Sequence, residues 1–430
     1  MLNKLKKLWS SLGPGLITGA ADDDPSSIAV YALAGAKFGL ATLWTAVITL
    51  PFMIVIQRMA GRIGLVSGKG LAGNIKKHYP AWLLLIITLL IVAANIINIG
   101  ADISGMAAAL NLLVPLPPIL LSALISVTII ALLIFLSYRQ IAKYLKWIAI
   151  VMFSYVVAAF LVVEPWREII YRAFVPKLIF SKDYLAIIVA LFGTTISPYL
   201  FFWQASGEVE EERLHRSTAV IETGMIPTTH PHGPHRSEQI IKNEISSMYK
   251  DVYYGMGFSN LIMFFIIALS ASTLFKNGFI NVSSIEEIAQ TLKPLAGVYA
   301  NILFLIGLVA SGILAIPVLA GSAAYALAEM FGWKDGFDNN FGRAKQFYVV
   351  IIASTLLGLL IPVLGLNPIK LLFYTAIIFG AISPLLILMV IHMANNPKIM
   401  GSYTSRRHSN MLAYLLFAIM SVAVTLMFTL

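Results

Sequence analysis

Three consecutive aspartates, Asp22, Asp23 and Asp24, interrupt a long apolar stretch and directly precede Pro25. An ionised side chain at membrane depth costs upwards of ~2.5 kcal/mol even on insertion scales, so three in a row require a compensating cation. Hard cations prefer oxygen ligands such as carboxylates. The run therefore predicts cation binding, with Asp24 as the leading ligand. For Asp24 the alternative is a structural role as a hydrogen-bond acceptor. For Asp22 and Asp23, that role or exposure in an aqueous vestibule is weighted about equally with cation binding.

A second interruption lies at a comparable depth in another apolar stretch, where Gly193, Thr194, Thr195 and Ser197 precede Pro198. Each proline removes a backbone donor and obstructs the preceding helical turn. Broken backbone inside a bilayer is tolerated only where it is buried in protein or lines a wet cavity, because unpaired amides in hydrocarbon cost several kcal/mol each. The two interruptions therefore predict two broken helices around a polar cavity.

The elements that position these residues are predicted to be membrane-spanning helices. The chain is 59% hydrophobic and 12% charged, with a mean hydropathy of +0.85, which is far outside the range of soluble domains. A helix needs about 20 apolar residues to cross a bilayer. Eleven runs qualify or nearly qualify: 13–35, 40–58, 81–106, 119–137, 144–163, 184–205, 253–274, 299–326, 347–364, 370–392 and 411–430. The chain has no cysteine, which excludes disulfides and thiolate metal sites.

The two interrupted spans are the first and the sixth, the first members of two five-span halves. Interrupted spans at matching positions of two halves are the best sequence pointer to a transporter site. We therefore predict an all-α polytopic membrane protein with about 11 transmembrane helices and one transporter domain over residues 1–430. Two inverted five-helix repeats are expected at about 10–165 and 180–395, with an extra helix at 410–430.

The formal net charge of +10 is explained by topology rather than by a nucleic-acid partner, because basic residues gather on one side of the predicted spans. They precede span one, follow span two and link spans four and five. This distribution predicts a cytoplasmic N-terminus in the plasma (inner) membrane. The dissenting basic connection, 164–182, is interpreted as an interfacial amphipathic segment. We expect no cleaved signal peptide, because no small-residue cleavage site follows a short apolar run.

The one long polar insert, 208–250, is predicted to be a flexible cytoplasmic loop. It begins with an acidic cluster and later contains three histidines within the sequence TTHPHGPH, namely His230, His232 and His235. Three histidines are able to chelate a metal, but the prolines between them preclude a helix that would fix their geometry. A solvated loop is therefore favoured over a built metal site.

Three segments of the chain resemble the NRAMP divalent-metal transporters. The opening GPGLITGAADDDPSSIAVYALAGAKFGLATLW is similar to that family's first helix with its Asp-Pro-Gly-Asn motif. IGLVASGILAIPVLAGSAAYALAEMFG resembles its eighth helix, and NNPKIMGSY resembles the turn after its tenth. The likeness extends over nearly the whole chain and implies the amino-acid/sodium symporter (LeuT-type) fold. It agrees with the two broken helices inferred from the residues.

The resemblance also implies a metal site. The family's metal-binding aspartate falls on Asp24, its asparagine ligand on Ser27 and its carbonyl ligand on Thr194. The family's methionine falls on Ser197, so a hydroxyl replaces the soft thioether. The resulting set offers only oxygen, which suits Mg²⁺ or Mn²⁺ rather than softer ions.

The residues that the family links to proton coupling are largely replaced. A histidine of its sixth helix falls on Tyr199 and a second one on Gln204. In span three the family's glutamate falls on Asn95, whereas the family's aspartate is retained as Asp102. Span nine contains no arginine to pair with Asp102. A proton relay needs a chain of titratable groups. We therefore expect no tight proton coupling.

These departures resemble the NRAMP-related magnesium transporters. Mg²⁺ dehydrates reluctantly and usually keeps several waters, for which the small Ser26, Ser27 and Ser197 would leave room. Each serine also has the simpler interpretation of permitting close helix packing. The favoured function is a uniporter-like importer of Mg²⁺, with Mn²⁺ next, acting as a monomer and without a cofactor.

Three alternatives stay open from the sequence. One is a proton-coupled Mn²⁺/Fe²⁺ symporter. Another is a non-transporting metal sensor or receptor on the same fold, which the apolar end TLMFTL disfavours. A membrane enzyme is the weakest, because the apolar spans contain no paired acid and base or nucleophile and no Gly-Lys phosphate loop.

Overall fold

The computed structural model describes residues 14–135, 152–162, 165–223, 238–289, 297 and 300–429, and over these residues the chain is helical with no β-strand. The first half contains α1 (Pro14–Asp22), α2 (Pro25–Phe38), α3 (Trp44–Ser67), α4 (Leu71–His78), α5 (Ala81–Asn111), α6 (Pro118–Phe135), α7 (Phe153–Val162) and α8 (Trp166–Phe174). The second half contains α9 (Lys182–Thr195), α10 (Pro198–Thr223), α11 (Glu238–Thr273), α12 (Ile285–Ala289), α13 (Ala300–Phe331), α14 (Lys345–Val363), α15 (Pro368–Asn395), α16 (Pro397–Met400) and α17 (Arg407–Thr429).

Both predicted helix breaks are present. The first span is divided into α1 and α2, with Asp24 as the N-cap of α2 in extended conformation (φ −67°, ψ 171°) and Pro25 as its first residue. Proline is well suited to that position, because the first helical N–H has no partner within the helix. The sixth span is divided into α9 and α10, where Ile196 leaves the helical region (φ −117°, ψ 52°) shortly before Pro198.

Nine helices within the described residues are long and apolar enough to cross a membrane. The count of 11 is therefore not confirmed, although the polytopic all-α class is. The first span falls below the length of a membrane helix because it is broken into two short pieces. The fifth predicted span, 144–163, is described only from residue 152 onward, where α7 begins at Phe153.

The prediction of a flexible loop at 208–250 is wrong over most of its length. Helix α10 continues to Thr223 and α11 already begins at Glu238; residues 224–237, with the three histidines, lie outside the described part. The acidic cluster is not uniformly solvated, since Glu208 and Glu210 are buried. The Glu210 carboxylate accepts the Asp338 N–H at 2.6 Å and the Tyr325 hydroxyl. The acidic segment has a charge pattern typical of a loop. It is helical because residues far away in the sequence bind its carboxylates.

Helix α8 occupies the connection that was interpreted as interfacial. Ile169 and Ala173 are buried on one side, whereas Ile170, Tyr171 and Phe174 are exposed on the other. An apolar surface on both sides of a short charged helix is consistent with a position in the membrane interface. Elsewhere the exposed apolar side chains of the long helices, such as Val127, Leu360 and Phe428, are explained by contact with lipid.

The broken helices lie at the centre of the packing. Helices α1 and α2 both pack on α11, α2 also packs on α9 and α15, and α5 packs between α13 and α14. The contact between α1 and α11 is close enough to exclude a side chain. A Cβ added to Gly19 would lie 2.1 Å from the carbonyl oxygen of Gly255. The position of α1 against α11 therefore depends on a glycine at residue 19.

We predict that Gly19→Ala destabilises the protein, because the new methyl group forces α1 away from α11, and overpacking of this kind costs about 1–3 kcal/mol. The apparent melting temperature in detergent should fall by several degrees. Gly257→Ala is the matched control, since its added Cβ would meet nothing within 4 Å. A Gly19→Ala protein as stable as the Gly257→Ala protein would contradict the close approach.

Candidate functional site

The break between α1 and α2 is organised around the Asp24 carboxylate. Its Oδ1 accepts hydrogen bonds from the Ser26 hydroxyl and the Ser27 backbone N–H, each at 2.6 Å. The Ser27 hydroxyl in turn donates to the carbonyl oxygen of Asp22 at 2.6 Å. All four side chains are at most 2% exposed. The donors freed by the break are thus satisfied locally, and Asp24 is fixed at the positive end of α2.

Helix α5 supplies two further polar residues. The Asn98 amide nitrogen donates to Asp24 Oδ2 at 2.8 Å and lies 3.4 Å from Asp102 Oδ2. Residues 98 and 102 are one helical turn apart, so both face α2. The structure therefore brings Asp24 and Asp102 to the two sides of one amide.

Asp22 and Asp23 face a different helix. The Ser259 hydroxyl of α11 lies 2.6 Å from Asp22 Oδ2 and 3.3 Å from Asp23 Oδ1. Both aspartates are fully buried, so exposure in an aqueous vestibule does not describe them in this structure. The aspartate run is divided, with Asp24 directed to α5 and the other two to α11.

The second break presents oxygen atoms as well. The Ser197 hydroxyl lies 2.6 Å from the Thr194 carbonyl oxygen and 2.8 Å from that of Gly193, so it caps the end of α9. The Ser383 hydroxyl of α15 donates to the Ile196 carbonyl at 3.1 Å. Thr194 and Ser197 are both buried, but neither hydrogen bonds to Asp24 in this structure. The predicted four-ligand set is therefore present as two groups, one at each break.

The remaining predicted residues hold helices together rather than contact Asp24. The Tyr199 hydroxyl donates to the Ala21 carbonyl at 3.0 Å. Gln204 accepts from Thr18 at 2.8 Å and donates to Glu208 at 2.7 Å, which ties α10 to α1. Asn95 donates to the Leu319 carbonyl and to Ser322, and so belongs to the contact between α5 and α13.

The centre of the molecule is rich in acceptors and poor in donors. None of Asp22, Asp23, Asp24 and Asp102 pairs with a lysine or arginine of the described residues. One carboxylate oxygen of Asp22, of Asp23 and of Asp102, and the amide oxygen of Asn98, are buried without a hydrogen-bond partner. Buried anions without partners are costly, and a bound cation relieves that cost. The described residues do not, however, gather three His, Cys, Asp or Glu side chains around one point.

Comparison with known proteins decides the family. The model of the Nramp family, described as natural resistance-associated macrophage protein-like, matches residues 15–430. The chain belongs to the Nramp family. The match takes in both broken helices and every residue of the candidate site.

The Nramp relatives are distant in sequence, and the two described next match over most of their length. The divalent metal cation transporter MntH of Caldanaerobacter subterraneus is 24% identical over 93% of this chain and 88% of its own. MntH of Ralstonia nicotianae is 25% identical over 97% and 90%, respectively.

Solved structures confirm the predicted fold. The Eremococcus coleocola manganese transporter superposes with a TM-score of 0.78 at 17% identity, over 98% of this chain and 86% of that one. The inward-facing transporter Mhp1 superposes with a TM-score of 0.53 at 13% identity, over 97% and 90%. The LeuT-type fold class is therefore confirmed, while the repeat boundaries stay a prediction.

Sequence reasoning missed two residues of this Nramp site, Asn98 and Ser259. Asn98 was detectable, because Asn95, Asn98 and Asp102 lie at spacings of three and four residues on one face of an apolar helix. Ser259 carries no such signal, since α11 approaches the first break only through tertiary packing.

We predict that Asn98→Asp makes stability depend on a divalent cation, because it places a third carboxylate between Asp24 and Asp102 and removes their shared donor. In metal-free detergent the melting temperature of the variant should be several degrees below that of the parent protein. Adding Mg²⁺ or Mn²⁺ should raise the melting temperature of the variant by more than that of the parent.

Asn95→Asp provides the control, one turn earlier on the same helix. It should lose its bonds to α13 and be destabilised with or without the ion. Equal recovery of the two variants, or no recovery of Asn98→Asp, would mean that Asn98 does not face the cation.

Proposed function

We propose that this chain imports a hard divalent cation, Mg²⁺ first and Mn²⁺ next, driven by the ion gradient and the membrane potential. Membership of the Nramp family and relatives described as divalent metal cation or manganese transporters support the coarser function, transport of a divalent metal cation across a membrane. These relatives are transporters and not enzymes, as expected for this chain from its sequence.

The observation that carries the choice of a hard ion is the chemistry of the two breaks. The first offers the carboxylate of Asp24 and the hydroxyls of Ser26 and Ser27, and the second offers the Thr194 carbonyl and the Ser197 hydroxyl. All of these ligands are oxygen atoms, which suits Mg²⁺ and Mn²⁺ and gives no advantage to softer ions. Their small side chains are compatible with an ion that keeps some of its waters.

Weak proton coupling is supported by the contacts of the replaced residues. The Tyr199 hydroxyl donates to a backbone carbonyl, and the Asn95 amide donates to the Leu319 carbonyl of α13. Neither side chain therefore connects Asp24 to a titratable neighbour by hydrogen bond. The membrane potential supplies about 2.3 kcal/mol per charge at 100 mV, and twice that for a divalent ion. We propose that this drive is sufficient, with the N-terminus on the cytoplasmic side of the plasma membrane and the chain acting as a monomer.

One observation favours a second candidate, proton-coupled symport of Mn²⁺ or Fe²⁺. Asp102 lies on the other side of the Asn98 amide from Asp24. The Asp102 carboxyl group is separated from the ion ligand Asp24 by a single amide side chain. It would provide a place to hold a proton between transport steps. The distinction between the two candidates is whether protons enter with the metal.

Flux into liposomes tests the proposal. Proteoliposomes with an internal pH dye should take up Mg²⁺ and Mn²⁺, accelerate when the interior is made negative, and show no acidification that scales with metal influx. Asp24→Asn should abolish uptake, because it removes the anionic ligand, while the protein elutes normally from a sizing column. Metal-dependent acidification that Asp102→Asn removes would establish the symporter instead. Absence of any metal flux would favour a sensor.

Ser197→Met should shift selectivity toward softer ions such as Cd²⁺, because it introduces a polarisable thioether and takes up volume. The ratio of Mg²⁺ to Cd²⁺ uptake should fall at least several-fold. Ser197→Ala is the control for the lost cap of α9, since both variants remove the hydrogen bonds to Gly193 and Thr194. The same ratio in the two variants would mean that residue 197 does not face the ion.

A further inference from the structure

Asp22 and Asp23 form a buried acidic pair that the proposed metal site does not use. They lie at the end of α1 and face Ser259 of α11, whereas Asp24 faces Asn98 of α5. Both are 0% exposed. The pair therefore shares a donor, Ser259, that does not hydrogen bond to Asp24.

The pair has fewer donors than its oxygens require. The Ser259 hydroxyl has one hydrogen and lies between Asp22 Oδ2 and Asp23 Oδ1. The other oxygen of each carboxylate is buried without a partner. One hydroxyl does not compensate two buried carboxylates, and no lysine or arginine of the described residues pairs with them.

Two tyrosine hydroxyls complete the surroundings. Tyr31 of α2 and Tyr155 of α7 are almost fully buried, and neither hydroxyl makes a hydrogen bond of good geometry. The Tyr31 hydroxyl lies beside the Asp23 carboxylate. The Tyr31 hydroxyl oxygen is therefore an additional potential ligand, and it comes from α2, whereas Ser259 comes from α11.

We propose that Asp22, Asp23 and Ser259, with the Tyr31 hydroxyl beside Asp23, hold a second cation distinct from the ion at Asp24. All of the ligands are oxygen atoms, so the ion is hard, and two carboxylates suit a divalent ion or Na⁺. It is either a second copy of the transported ion or a co-transported one. The inference rests on the proposed function only in that the chain binds cations.

Counting bound ions on the full-length protein in detergent tests the second site. Equilibrium dialysis against Mn²⁺ should give about two ions per chain with oxygen-ligand affinities. Asp24→Asn and the double variant Asp22→Asn/Asp23→Asn should each retain about one of them. Dialysis against Mn²⁺ with added Na⁺ shows which ion occupies the second site. A site for Na⁺ would give one bound Na⁺ in addition to a single bound Mn²⁺.

Ser259→Ala should weaken only the second site, on the order of tenfold, since it removes one oxygen ligand of the bound ion. Ser126→Ala is the matched control, because that buried hydroxyl donates only to the Ser122 carbonyl one turn earlier. Melting temperatures confirm that each variant is folded.

A single ion that Asp24→Asn removes and the double variant leaves unchanged, with no Na⁺ bound, would overturn the second site while the proposed function stands. Two ions of which Asp24→Asn removes neither would overturn the role of Asp24 instead. Two ions that the double variant leaves unchanged would overturn the assignment of the second site to Asp22 and Asp23.

Discussion

The Asp24 carboxylate is the group on which the rest of the site depends, because it serves the backbone and the ion at once. Pro25 has no N–H to donate, and Oδ1 accepts the Ser26 hydroxyl and the Ser27 amide from the first turn of α2. The positive end of the helix stabilises the anion without a lysine. Oδ2 is held only by Asn98 from α5. Oδ2 can therefore exchange the Asn98 amide for an ion, while Oδ1 remains bound to the first turn of α2.

Proline alone does not explain where the helices break. Pro51, Pro317 and Pro384 lie inside α3, α13 and α15, which continue through them, whereas Pro362 is the penultimate residue of α14. At Pro25 and Pro198 the chain also supplies a short polar side chain directly beside the gap, Asp24 in one case and Ser197 in the other. These side chains bond the backbone groups that the break exposes. Both breaks were therefore predictable from the local sequence, whereas a search for prolines would have given several false ones.

The parts of the structure that the sequence did not reveal depend on partners from distant segments. The acidic cluster after Ser206 has the composition of a loop, yet Glu208 is bonded to Gln204, and Glu210 to Tyr325 and the amide of Asp338. Charge pattern reports what a residue prefers in water, not which partners the fold brings to it. Ser259 was missed for the same reason. Asn98 differs from Ser259, because its spacing of four residues from Asp102 places both on one face of α5 and was visible in the sequence.

The carboxylates of the interior differ in the kind of donor that reaches them, and this difference separates structural from ion-binding roles. The half-buried Glu329 accepts the backbone amides of Gly70 and Gly73, the buried Asp251 accepts that of Gly15, and the buried Glu210 accepts that of Asp338, so each of these acids joins two segments of the chain. Backbone amides are fixed donors that an ion cannot replace without moving a helix. Asp22, Asp23 and Asp102 instead retain oxygens without partners, and Asp24 depends on a side-chain amide at Oδ2. A cation entering the molecule therefore gains most at the first break, where it replaces few protein contacts, and gains little among the acids that hold the helices together.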